Sequence, residues 1–288
     1  MVRNAEEIRL VISEIKTLPT LPSVMGKVLE VLRNERSSAG DLEKVIKFDK
    51  SLTLKILGFS NAAIYGFPRK ITTISDALVV LGFDLVKVLA LSLPVFDLHE
   101  GDPRVEVFLK RLWSHSCKTA LLTSALSKDL GRGDSDTAFL SGLLADIGRA
   151  AFIHIKGKEY IEALDGAREG GRRVIEVERE IFGVDHAAAS GWIADDFLLP
   201  EDIVSALSQH HNPTIHPQGG DISNLVYLAD YMLSLNEQNQ SVDGFMCDSH
   251  AEVLKDLGLE FKKLPDYMTM VMAKNSTAPG GVPEAVKV

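Results

Sequence analysis

Six side chains stand out because their types and placement suit divalent-metal chemistry: His115, Asp146, His186, His210, His211 and Asp230. Each falls in an apolar stripe of helical spacing. His115 shares its stripe with Phe108, Leu112, Thr119 and Leu122, and Asp146 lies with Phe139, Leu143, Ala150 and Ile153. His186 aligns with Ala189, Ile193 and Phe197, and Asp230 with Val226 and Leu233. His210 follows Ile203, Ala206 and Leu207, with His211 about 100° further round the helix. A lone histidine in such a stripe is ordinarily a hydrogen-bonded core residue. Two carboxylates and four imidazoles are costly to bury separately, however. Convergence on a divalent transition metal offsets that cost, and the mixed donor set suits iron, nickel, zinc or manganese. A closed Asp–His hydrogen-bond network is the competing explanation.

The elements that must position these groups read as helices almost throughout. Ile8, Val11, Ile12 and Ile15 form one stripe before the break Leu18-Pro19-Thr20-Leu21-Pro22, and Val24, Val28, Leu29, Val31 and Leu32 form the next. Asp41, Ser51 and Ser75-Asp76 each mark the start of a further helix, and Asn61 and Gly82 mark ends. The Tyr65–Arg69 stretch has turn chemistry. Beyond it, helical patterns occupy roughly 105–130, 136–154, 172–181, 186–198, 201–211, 222–236, 249–257 and 264–273. Alternating strand patterns are nearly absent and no fixed-period repeat occurs, so the expected fold is all-α. The polar stretch Leu98–Pro103 divides the chain into an N-terminal helical part, 1–98, and a second helical part, 104–273. A disordered tail is expected over 274–288, where the pattern fails at Asn275–Gly281.

Composition narrows the function. The 288 residues carry a net charge of −9, which disfavours broad nucleic-acid or anionic-membrane binding. Cys117 and Cys247 are too few for a disulfide framework, and Cys117 reads as a small buried thiol. The N-terminus has no apolar signal core, and no segment is expected to reach a membrane span. A reduced, cytoplasmic protein follows.

Several short motifs in order resemble the HDOD family (HD-related output domain). They are Leu18–Pro22, Ile46-Lys47-Phe48-Asp49-Lys50-Ser51-Leu52-Thr53, Ile56–Ala62, and Ile74-Ser75-Asp76-Ala77 with Leu81-Gly82. The resemblance covers roughly residues 15–215, with Lys50 standing where the family usually has proline. It implies two packed helical subdomains in a bacterial signal-transduction or regulatory protein. Pro19, Pro22, Asp49, Ser51 and Asn61 read in their own right as punctuation, helix starts and turn groups.

The second half resembles the wider HD phosphohydrolase superfamily, including its HD-GYP branch. Trp113-Ser114-His115-Ser116, Gly142–Arg149, Val184-Asp185-His186, His210-His211 and Leu228-Ala229-Asp230 match its elements in order, but Ala145 stands where the His-Asp dyad has histidine. The resemblance implies one metal position of His115, Asp146 and Asp230 that lacks an imidazole. It implies a second of Asp146, His186, His210 and His211 that is complete. A two-metal hydrolytic mechanism needs both cations. The Gly-Tyr-Pro element of cyclic-di-GMP phosphodiesterases does not follow His211. Arg149, where related enzymes carry lysine, reads as a solvated charge at the edge of the site, with an anion contact as the alternative. His154, His216 and His250 read as surface or helix-end residues, and Arg172-Arg173 as an exposed helix face.

The leading expectation is a regulatory protein acting through contacts with signalling proteins, with no catalytic residue assigned. Its degenerate scaffold holds at most one metal; a nucleotide is a candidate ligand, and neither nucleic acid nor membrane is a partner. The alternative is a metal-dependent phosphohydrolase of a nucleotide or cyclic dinucleotide.

Overall fold

Capping chemistry cuts the N-terminal half into short helices. The computed structural model describes residues 5–14, 24, 27, 28, 30, 31, 37–61, 70–93, 101–212, 220–237 and 250–269, and among them every regular element is helical. Helix α1 (Ala5–Glu14) turns Ile8 and Ile12 into the core. Helix α2 (Ala39–Lys47) begins with a capping box in which the Ser38 N–H donates to Asp41 Oδ2 at 3.0 Å. Asp49 caps α3 (Lys50–Ser60) by accepting from the Leu52 N–H at 2.8 Å, leaving Lys50 at the first helical position that proline would pre-organise. The Asn61 amide then clasps the chain. It donates to the Leu57 and Ile71 carbonyls and accepts from the Ile71 N–H, each at 2.7 Å. Thr73, rather than the expected Ser75-Asp76, caps α4 (Ile74–Leu81), and Gly82 at φ 81° ends it before α5 (Phe83–Ser92).

The second half is organised around α6 (Pro103–Leu130), capped by Asp102, opened by Pro103 and stopped by Gly131 at φ 63°. Its 28 residues span about 42 Å at the standard helical rise. Around it come α7 (Ser135–Leu144), α8 (Ile147–Lys156), α9 (Lys158–Glu169), α10 (Val174–Phe182), α11 (His186–Asp196), α12 (Glu201–Gln209), α13 (Gly220–Glu237) and α14 (His250–Asp256). Two apolar cores result. The larger draws Ile8, Leu42, Ile56 and Leu89 from the N-terminal helices together with Leu112, Phe139, Phe152 and Leu207. The smaller gathers Leu122, Leu126, Ala145, Val226, Leu233 and Val253. Helix α6 serves both.

Two glycines allow the close approaches that bring the site together. A Cβ at Gly142 would sit 2.9 Å from Ala120 Cα, so α7 lies directly on α6. A Cβ at Gly148 would sit 2.3 Å from the His186 carbonyl oxygen, so α8 lies directly on the start of α11. At the far end of α11, Leu198 adopts φ 55° while the Leu199 N–H donates to the Ala194 carbonyl at 3.0 Å. This is a Schellman-type stop with leucine in the place glycine usually takes.

Three sequence expectations need correction. The pattern over 136–154 is not one helix but α7 and α8, broken at Ala145–Asp146. Helix α9 was not foreseen; its buried Tyr160, Ile161, Leu164 and Ala167 are interspersed with eight other residues that are all charged or small. One stretch, Ser135–Lys156, is long and apolar enough to cross a membrane at mean hydropathy 1.4, but 89% of its most apolar window is buried inside the protein. That is the character of a core segment. The Leu18–Pro22 break, the Tyr65–Arg69 loop, residues 98–100 of the expected boundary, residues 213–217, Cys247 and the tail 274–288 lie outside the described residues.

Candidate metal centre

All six sequence-selected residues are buried, and they form two linked groups. On one side, His115 of α6 meets Asp230 of α13, with Nε2 2.8 Å from Asp230 Oδ1 and 3.6 Å from Asp146 Oδ2. On the other side, the ligating atoms of His186, His210 and His211 all lie within 4.8 Å of one another. Asp146 stands between the groups, its Oδ1 3.3 Å from His186 Nε2.

The turn that presents Asp146 is held from outside its own helices. Ser190 of α11 accepts the Gly148 N–H at 2.9 Å and donates its hydroxyl to the Ala145 carbonyl at 2.6 Å. One fully buried hydroxyl thus satisfies backbone groups on both sides of the α7–α8 break. Ala145 itself points its methyl into the smaller apolar core.

Each histidine on the second side is oriented by a partner. His186 Nδ1 lies 2.6 Å from Glu178 Oε2, which also accepts the His186 N–H at 2.8 Å. His210 Nδ1 donates to the Leu207 carbonyl at 2.7 Å. In the neutral rings the proton therefore sits on Nδ1, and Nε2 offers a lone pair. His211 Nε2 lies 2.7 Å from His186 Nε2, so the two share a proton. Burial and the Arg149 charge lower the His186 pKa. Glu178 and Asp146 raise it by more, so it stands above the ordinary histidine value.

These histidines fit a single transition-metal ion. Three imidazoles with Nδ1 engaged on two of them form a donor set typical of zinc, iron or nickel. An ion held by the three would take the place of the hydrogen bond between His186 and His211. His186, His210 and His211 would hold the ion, and a metal there would compete with the shared proton. The His115 side fits less well. Its donors are one imidazole and the Asp146 and Asp230 carboxylates, with a methyl group at position 145.

Three participants were missed or misread in the sequence. Glu178 is completely buried on α10, in line with Val174, Ile175, Ile181 and Phe182. The same test that found the histidines, a polar residue in an apolar stripe, would have found it. The Tyr160 hydroxyl of α9 donates to Glu178 Oε1. Burial and the Glu178 charge push the Tyr160 phenol far above its ordinary pKa, keeping it a donor. Tyr160 packs with Phe152 and Phe182, whose rings stack at 4.0 Å, and this aromatic block fixes α8, α9 and α10 together. Arg149 is the clearest correction. Far from a solvated edge charge, it has 0% exposure and lies among Asp146, Glu178 and His186. His154 sits half-buried in the last turn of α8, Arg172 pairs with Glu180 on the surface, and His216 lies outside the described residues.

Comparison with known proteins agrees with this architecture. The sequence profile of the HDOD domain matches residues 18–213. A curated Treponema pallidum protein without an assigned function is 23% identical over 201 residues, and the chain spans 38% of that relative's length. A crystal structure of a protein provisionally assigned as a phosphohydrolase, from Shewanella amazonensis SB2B, superposes with TM-score 0.64 at 19% identity, covering 96% of this chain and 97% of that one. A protein provisionally assigned to signal transduction, from Marinobacter aquaeolei VT8, gives TM-score 0.61 at 19% identity over 94% of this chain and 58% of its own. At these identities the likeness is one of fold.

Proposed function

Because the chain belongs to the HDOD family, we propose that it is a bacterial regulatory protein that acts through protein contacts on a hydrolase-like scaffold no longer equipped for hydrolysis. The carrying observation is Ala145. Its methyl packs into the apolar core beside Asp146, so the metal position nearest His115 has no imidazole from that turn. A hydroxide bridged between two metals needs both ions held in place. The name of the Marinobacter relative favours a signalling role. Exposed apolar side chains on the N-terminal helices, Phe48, Leu54 and Val79, suit a surface that meets signalling proteins. The proposal includes a cytoplasmic location, which the free, buried Cys117 thiol suits. It also includes a retained transition-metal ion on His186, His210 and His211, contributing stability rather than turnover.

The experiment is complementation of a deletion strain, alongside an assay of purified protein reconstituted with manganese, iron, zinc or nickel. The Asp230→Asn variant, which leaves both counter-charges of Arg149 in place, is expected to restore the regulatory output, and Phe48→Glu combined with Val79→Glu to lose it while remaining folded. Hydrolysis of a nucleotide or cyclic dinucleotide that disappears in Asp230→Asn would overturn the proposal. It would favour a metal-dependent phosphohydrolase instead, a reading supported by the intact three-histidine set.

A further inference from the structure

Two groups that a cation on the histidine side would use already face a positive charge. Arg149 Nε lies 3.3 Å from Asp146 Oδ1 and 3.8 Å from Glu178 Oε1, and Nη2 lies 3.4 Å from His186 Nε2. Arginine stays charged in proteins, so its complete burial requires compensating negative charge. Asp146 and Glu178 supply it. The placement is fixed by the fold. Arg149 occupies the first turn of α8, three residues after Asp146, and Gly148 beside it holds that turn against α11.

We infer that Arg149 is a resident cation that competes with divalent metal for Asp146 and His186. A metal bound to His186 Nε2 would sit inside the same low-dielectric pocket as the guanidinium, and the two positive charges repel. Metal therefore settles on His186, His210 and His211 only as Arg149 withdraws from His186. Asp146 remains neutralised by the side chain rather than by a second ion. The two-metal arrangement implied by the HD resemblance is thus blocked twice, by a methyl at 145 and by a guanidinium at 149. This inference rests on the reading of the three histidines as a metal site.

The test is cobalt(II) titration of the full chain, followed by visible absorption, with thermal melts in the presence and absence of EDTA. Arg149→Met is expected to bind cobalt about tenfold more tightly than wild type, a change of the size produced by altering a ligand's supporting partners. Its melting temperature falls further on adding EDTA than that of wild type, and adding His211→Ala abolishes the gain. Equal, His211-dependent affinity in both proteins overturns the competition while leaving the metal site standing. Absence of binding in both folded proteins overturns the metal reading and the competition with it. Should Arg149→Met fail to fold, Arg149→Lys keeps the charge without the planar fork that spans Asp146 and His186. An intermediate gain in cobalt affinity supports the inference, and unchanged affinity overturns it.

Discussion

At the level of single residues, the pocket is governed by Glu178 as much as by the histidines. It receives the His186 ring and backbone N–H groups and the Tyr160 hydroxyl. It also lies 3.8 Å from the buried Arg149 guanidinium. Glu178→Ala is therefore expected to cost about 3–5 kcal/mol in urea unfolding, since it leaves the guanidinium under-compensated. Tyr160→Phe removes only the neutral donor and is expected to cost roughly 1–3 kcal/mol. A larger loss in Tyr160→Phe than in Glu178→Ala would mean that the aromatic block, not the carboxylate, holds this region. Six polar residues here were legible in the sequence because histidine and aspartate contrast sharply with an apolar stripe. Glu178 passes the same test, three and four residues from Val174, Ile175, Ile181 and Phe182, but Glu176 and Glu180 on either side make the segment read at first sight as a charged face. Arg149 was misread for a related reason: one of its two compensating charges, Glu178, comes from α10, and a distant partner leaves no local signature.

Elements carry a different set of dependencies. The α7–α8 break has no proline, and Ser190, more than forty residues away, closes both of its backbone ends. This is why the periodicity across 136–154 ran on without interruption. Ser190→Ala is expected to destabilise the protein by about 1–3 kcal/mol by orphaning those groups. Gly148→Ala, which drives a methyl into the His186 backbone, is expected to cost a similar 1–3 kcal/mol and to displace α8. Differential scanning calorimetry of the two variants checks both values. The N-terminal helix starts were more readable, because Asp41 and Asp49 carry their cap within three residues. Asp41 also gives a pH signature. Hydrogen bonds from the Ser38 backbone and hydroxyl, with Lys44, hold its carboxyl down to about 2. A depressed carboxylate pKa contributes stability fully above the unfolded value of about 3.9 and loses it as pH falls through the folded value. The wild type is thus expected to exceed Asp41→Asn in urea midpoint near pH 6, with the gap closing between about pH 4 and pH 2. A constant gap over that window would mean that the cap does not depend on charge.

For the whole molecule, the decisive feature is that both apolar cores share α6. Trp113 on that helix meets Phe59 of α3 edge-on at 5.6 Å, so its ring reports contact between the two halves of the chain. Far-UV circular dichroism and tryptophan fluorescence are expected to give one coincident urea transition. Separated transitions would mean that the N-terminal helices unfold on their own. The all-helical architecture was legible from periodicity alone, because apolar spacing near 3.6 recurs in nearly every segment. The joining of the halves was not. Trp113 and Phe59 are 54 positions apart, and no window of sequence records that they touch.

Leu198 closes α11 at φ 55° with its side chain 82% exposed, so neither backbone preference nor burial favours leucine there. The position is a reserve of stability away from the metal centre. Glycine would release the left-handed strain, worth about 1 kcal/mol, at the end of the helix that begins with His186. A more robust scaffold for loading and stripping metals is thus within reach of one surface substitution.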